Sequence, residues 1–170
     1  MRSAFLLMPL VLCLGGCVIL AGCDKDDSTS PEDLVPTVNV TLASSDLVFG
    51  AYDGAYNSNM RHLIMGFFQG QSGGFPTCVI TLSGADTVET GVEVNCGVII
   101  YPDSANSYVC GSLADSDSAV SVISFRGKDL RQGGLVSGDV NGMAEHNNHG
   151  GEALVPVIIQ FRNIPLEITN

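Results

Sequence analysis

Val92-Glu93-Val94-Asn95-Cys96-Gly97-Val98-Ile99-Ile100 is the stretch that decides the fold. Apolar residues recur at every second position. Val92, Val94, Cys96, Val98 and Ile100 therefore fall on one side of an extended chain, with Glu93 and Asn95 on the other. A period of two is the signature of a half-buried strand, whereas a helical face needs recurrence at three and four. Just upstream, Cys78, Ile80 and Leu82 repeat the pattern on one face of a second run.

Working outward, short β-branched runs alternate with Gly, Asn, Asp, Ser or Pro. They predict strands over 37–42, 46–52, 61–68, 77–82, 92–101, 108–113, 120–126, 134–140 and 154–161, with a last one at 166–169. No stretch carries helical periodicity with caps. No connection is long enough for a crossover helix, so antiparallel order is expected. The reading is all-β, an antiparallel β-sandwich, immunoglobulin-like or jelly-roll, of about eight to ten strands, with a closed barrel as the alternative. Composition agrees: Trp is absent, Gly supplies 20 of the 170 residues and charged residues only 15%. The net charge of −11 repels phosphates and argues against nucleic acid as a partner.

The N-terminus has a different grammar. Arg2 precedes an apolar segment from Ala4 to Leu20, interrupted by Pro9 and Gly15-Gly16. A basic residue, an apolar run and then small residues form a secretory signal peptide, and the run is short for a membrane-spanning helix. Its end, Leu20-Ala21-Gly22-Cys23, resembles the lipobox of bacterial lipoproteins, and Leu14-Gly15-Gly16-Cys17 is a second, partial match. The resemblance implies cleavage before Cys23, a diacylglycerol on its sulfur and an acyl group on its new amine. Cleavage there leaves one domain's worth of chain. The expected organisation is a signal peptide at 1–22, an acylated Cys23 with a flexible acidic tether to residue 36, and a β domain over 37–170. Asp24 resembles the inner-membrane retention signal of some enterobacterial lipoproteins, whereas Lys25-Asp26-Asp27 resembles the surface-export signal of Bacteroidota lipoproteins. The expected location is the cell envelope, at the outer membrane or cell surface, with the outer face of the inner membrane as the alternative.

Cys78, Cys96 and Cys110 remain in the domain. Cys78 and Cys96 lie symmetrically about Thr87, in a turn over 84–91. Cys96 and Cys110 lie symmetrically about Asp103, in a turn over 102–106. Simple hairpin register places all three in one cross-strand row. Export favours oxidation, so one bridge is expected, Cys78–Cys96, with Cys96–Cys110 as the alternative. No Cys-x-x-Cys pair or nearby His points to a metal or redox role for these thiols.

Candidate chemistry is sparse. Glu145-His146-Asn147-Asn148-His149-Gly150-Gly151-Glu152 is the one dense set of metal-capable side chains. His146 and His149, three residues apart in a turn, could converge on Zn or Cu, with Glu152, Glu145 or Asp139 completing a tetrahedral set. A plain polar loop explains the same residues. Met60, His62 and Met65, with Met143, are a weaker copper pattern. Gly70-Gln71-Ser72-Gly73-Gly74 fits the hydrolase Gly-x-Ser-x-Gly, but a strand and no helix is expected after it. Asp115-Ser116-Asp117-Ser118 and Tyr52-Asp53-Gly54 read as turns too poor in oxygen ligands for calcium. The expectation is a non-catalytic envelope lipoprotein with no required cofactor. It is held to the membrane through Cys23 and presents loops or a strand edge to a protein or glycan. Metal binding through His146, His149 and Glu152 is the alternative, and an envelope hydrolase using Ser72 comes third.

Overall fold

The computed structural model describes residues 35–70, 74–147 and 153–170. Twelve strands lie among them: β1 (Thr37–Leu42), β2 (Ser45–Leu47), β3 (Ala51–Asn57), β4 (His62–Phe68), β5 (Thr77–Ser83), β6 (Glu93–Asn95), β7 (Gly97–Tyr101), β8 (Tyr108–Gly111), β9 (Ser121–Lys128), β10 (Leu135–His146), β11 (Val155–Pro165) and β12 (Glu167–Thr169). One layer runs β6-β9-β10-β11-β1-β2 and the other β12-β3-β4-β5-β7-β8. All pairs are antiparallel except β12 on β3. β10 serves both layers, pairing β9 over Val136–Gly142 and β8 at Glu145 and His146. The fold is therefore all-β and sandwich-like, mostly antiparallel, as the alternation implied.

The two inner faces meet on aromatic rings. Phe161 of β11 and Phe67 of β4 come from opposite layers, and their centroids are 6.3 Å apart. Phe49, in the β2–β3 connection, meets Phe67 edge-on at the same distance. Phe67 and Phe161 are fully buried among Val40, Leu63, Ile80, Ile123 and Ile159. Truncating Phe161 to Ala is expected to cost about 3–5 kcal/mol, because the transfer term and the cavity term add. Urea unfolding would show this as a lower midpoint at unchanged slope. A loss below about 1 kcal/mol would mean that the ring does not hold the layers together.

Two expected strands are each divided in two. The run 46–52 becomes β2 and β3, and the run 92–101 becomes β6 and β7, with each break carrying the chain from one layer to the other. Alternation continues across both breaks because the two layers share one core. It reports inward and outward, not which layer a strand joins. Tyr52-Asp53-Gly54, expected as a turn, lies inside β3. The strand expected over 134–140 instead runs on to His146. Gly142 lies inside this strand because there is no room for a side chain: a Cβ would come within 2.6 Å of the Val120 carbonyl oxygen.

The cysteine register also differs from expectation. Cys78 faces Ile100 across β5–β7, and Cys110 faces Val98 across β7–β8. Cys96 stands at the crossing between β6 and β7. The expected symmetry about Thr87 fails because the 3₁₀ turn at Ala85–Thr87 and the excursion of β6 to the other layer lie inside that connection. No two of the three cysteines oppose each other. The Cys78–Cys96 bridge and its alternative, Cys96–Cys110, are both absent, and the three thiols are free and buried. Burial pushes Cys96 and Cys110 up to about 11, against hydrogen bonding with the Ser121 side chain that lowers each, and pushes Cys78 higher still. All three should resist a thiol reagent in the folded domain and react together on unfolding. A disulfide-linked peptide pair in a non-reducing digest would contradict this.

Candidate functional site

One end of the sandwich gathers the turn between β1 and β2, the β7–β8 hairpin and the end of β10. Asp103 builds the hairpin tip. Its Oδ1 accepts the backbone N–H groups of Ala105 (2.7 Å) and Asn106 (3.0 Å), and its Oδ2 accepts the Asn106 amide at 2.8 Å. An Asp that closes its own turn in this way stiffens a loop against chain entropy. Because the Asn106 Nδ2 donates to Asp103, its Oδ1 is turned to the His146 Nε2, 3.0 Å away, which donates to it. The His146 ring packs edge-on against Tyr108, with centroids 4.9 Å apart. The Asn147 N–H donates to the Ser107 carbonyl at 2.9 Å. Side chains and main chain together clamp the hairpin to β10.

The Asn106 side-chain hydrogen bond is the main cause holding the Asp103 carboxyl below the usual range, with the Ala105 N–H adding to it. A folded-state pKa below the unfolded value of about 3.9 gives a contribution that is complete above that value and is lost as pH falls through the folded pKa. The Ala105 and Asn106 amide resonances should therefore titrate with a midpoint below about 3.9, and Asp103→Asn should abolish that titration. A midpoint at or above the unfolded value would show that the turn is not organised by the carboxylate.

Two clefts flank the hairpin. The first, about 220 Å³, is apolar and lined by Leu42, Leu47, Pro102, Tyr108 and Val155. The second, about 270 Å³, is polar and lined by Tyr101, Ser104, Asn106, Ser107 and Asn147. Phe75 stands beside Tyr101 with ring centroids 6.4 Å apart. These residues were not singled out in the sequence beyond the reading of 102–106 as a turn. The available signal was Asp103 followed three residues later by Asn106.

The described residues among those singled out are dispersed. His146 is buried in the hairpin clamp, while its expected partners His149 and Glu152 lie outside the described residues. Glu145 falls on the opposite face of β10, where its Oε1 accepts the N–H groups of Asp115 (2.7 Å) and Ser116 (3.2 Å). Asp139 is seven residues up the same strand, roughly 23 Å away at about 3.3 Å per residue. There it accepts hydrogen bonds from Arg126 and from Arg162, the latter at 2.9 Å. Neither acid can share an ion with His146. Among the described residues no three His, Cys, Asp or Glu side chains form a metal-holding group. Met60 is exposed in the turn before β4, whereas Met65 is fully buried in the core, so they do not face one ion with His62. Ser72 and Cys23 lie outside the described residues.

Comparison with protein-family models, with curated proteins and with solved structures returned no match.

Proposed function

We propose that this chain is a lipid-anchored cell-envelope lipoprotein whose sandwich is a non-catalytic binding module, working through the end that carries the β7–β8 hairpin. The reading of the anchor rests on Leu20-Ala21-Gly22-Cys23 and the segment before it. The observation that carries the binding role is the hairpin itself: a loop locked by Asp103, Asn106 and His146 between an apolar and a polar cleft. A preorganised loop loses little conformational entropy when it meets a partner, so more of the contact energy appears as affinity. Rigid sandwiches commonly carry function on such loops.

A photo-cross-linking amino acid placed at Ser104 in the acylated protein, in intact envelopes, tests the reading. A discrete adduct is expected from Ser104. None is expected from Gln132, in the β9–β10 connection at the other end of β10. Adducts of equal yield from both positions, or from neither, would overturn it.

A further inference from the structure

We infer that the polar cleft between the β7–β8 hairpin and the end of β10 is a subsite for one ring of a neutral sugar chain, a hexose or an N-acetylhexosamine. The inference rests on the binding-module reading and deepens it. Three observations carry it.

The first is unspent hydrogen-bonding capacity. Asp103 and Asn106 are committed to one another and to His146, which makes them structure. The Tyr101 hydroxyl, the Ser104 hydroxyl and the Asn147 carboxamide also line or border the cleft, and none is hydrogen-bonded to another described residue. Together they offer donors and acceptors of both kinds on a fixed frame, which is what a polyol requires.

The second is an aromatic surface. Tyr101 lines the cleft, and the Phe75 ring, in a residue that is 41% exposed, packs against Tyr101 with centroids 6.4 Å apart, tilted by 56°. A sugar ring has an apolar face of C–H groups and a polar edge of hydroxyls. An exposed aromatic surface next to amides and hydroxyls matches both. At about 270 Å³ the cleft falls just under the roughly 300–1,000 Å³ of drug-sized sites, which suits one ring of a longer chain.

The third is charge. Among the described residues no Lys or Arg lines the cleft, and the chain carries −11 overall. An anionic sugar would enter without a counter-charge and against the field of the whole protein. A neutral ring has no charge to desolvate.

The test is a titration of the acylated full-length protein, in a zwitterionic detergent without sugar groups, followed by amide resonances. The probes are gluco-, manno-, galacto- and N-acetylglucosamine trisaccharides. At least one probe should give saturable shifts at Ser104, Asn106 and Asn147. Tyr101→Ala and Asn147→Ala should each weaken that binding by about tenfold or more. Ser104→Ala, in the exposed tip and unable to disturb the fold, should weaken it as well. No saturable shift at these residues up to about 10 mM of any probe, or unchanged affinity in the variants, would overturn the inference. A Ser104 cross-link to a protein that persists while every sugar fails would sink the inference and leave the binding-module reading standing. Loss of both would sink the two together.

Discussion

Gly111→Ala is expected to cost the domain about 3–5 kcal/mol, a large part of the roughly 5–15 kcal/mol that holds a domain folded. A Cβ at this position would lie 1.7 Å from the Cys96 carbonyl oxygen and 2.3 Å from the Ser121 Oγ. Neither neighbour is free to withdraw. The Cys96 carbonyl accepts the Ser121 hydroxyl at 2.8 Å and the Ser112 N–H at 3.2 Å, and the Cys96 N–H donates to the Ser121 carbonyl at 3.1 Å. This knot fixes the point at which the chain crosses between layers. The backbone adds its own penalty, since φ at Gly111 is +68° and a left-handed residue with a side chain costs roughly 1–2 kcal/mol. Gly91 separates the two causes. Its φ is +82°, but a Cβ there would meet nothing within 4 Å. Gly91→Ala should therefore show only the backbone part, about 1–2 kcal/mol. Urea unfolding of both variants makes the comparison. Equal losses would mean that the crossing at Cys96 is not the rigid point described.

The second large effect is on processing. Under the proposed lipid anchor, Cys23→Ala should abolish incorporation of labelled palmitate and leave the chain uncleaved, larger by its first 22 residues and held to the membrane only by the apolar segment from Ala4 to Leu20. Without the thiol there is no thioether lipid and no cleavage before residue 23. Incorporation of labelled palmitate, measured beside chain size, follows the chemistry directly. Label retained on a chain of the cleaved size would contradict the assignment. Loss of label on Cys17→Ala instead would move the anchor to the earlier match, Leu14-Gly15-Gly16-Cys17.

The fold class was legible because burial leaves a period-two trace, and 37–42 and 77–82 were read almost to the residue. The division of 92–101 at Cys96 was not, since both halves point inward to one core and only the hydrogen-bonding partner changes. The cysteine register followed from that omission. A symmetric hairpin was expected where a 3₁₀ turn and a strand of the other layer intervene. The hairpin end was half legible. Pro102-Asp103-Ser104-Ala105-Asn106 announced a turn, yet nothing local shows that Asn106 reaches His146, 40 residues away, and so leaves Asn147 facing a cleft. The histidine reading weighed His146 by its sequence neighbours. In the structure its near neighbour in sequence, Glu145, points to the other side of the strand.

Under the proposed lipid anchor, hydrogen exchange of the full chain, compared between envelope membranes and detergent micelles, tests the proposed working end most directly. The account predicts extra protection in the membranes at residues 102–107 and at Asn147, where a partner would sit, and none in the β9–β10 connection at 129–134. Exchange that is the same in both settings at 102–107, or protection confined to 129–134, would contradict it.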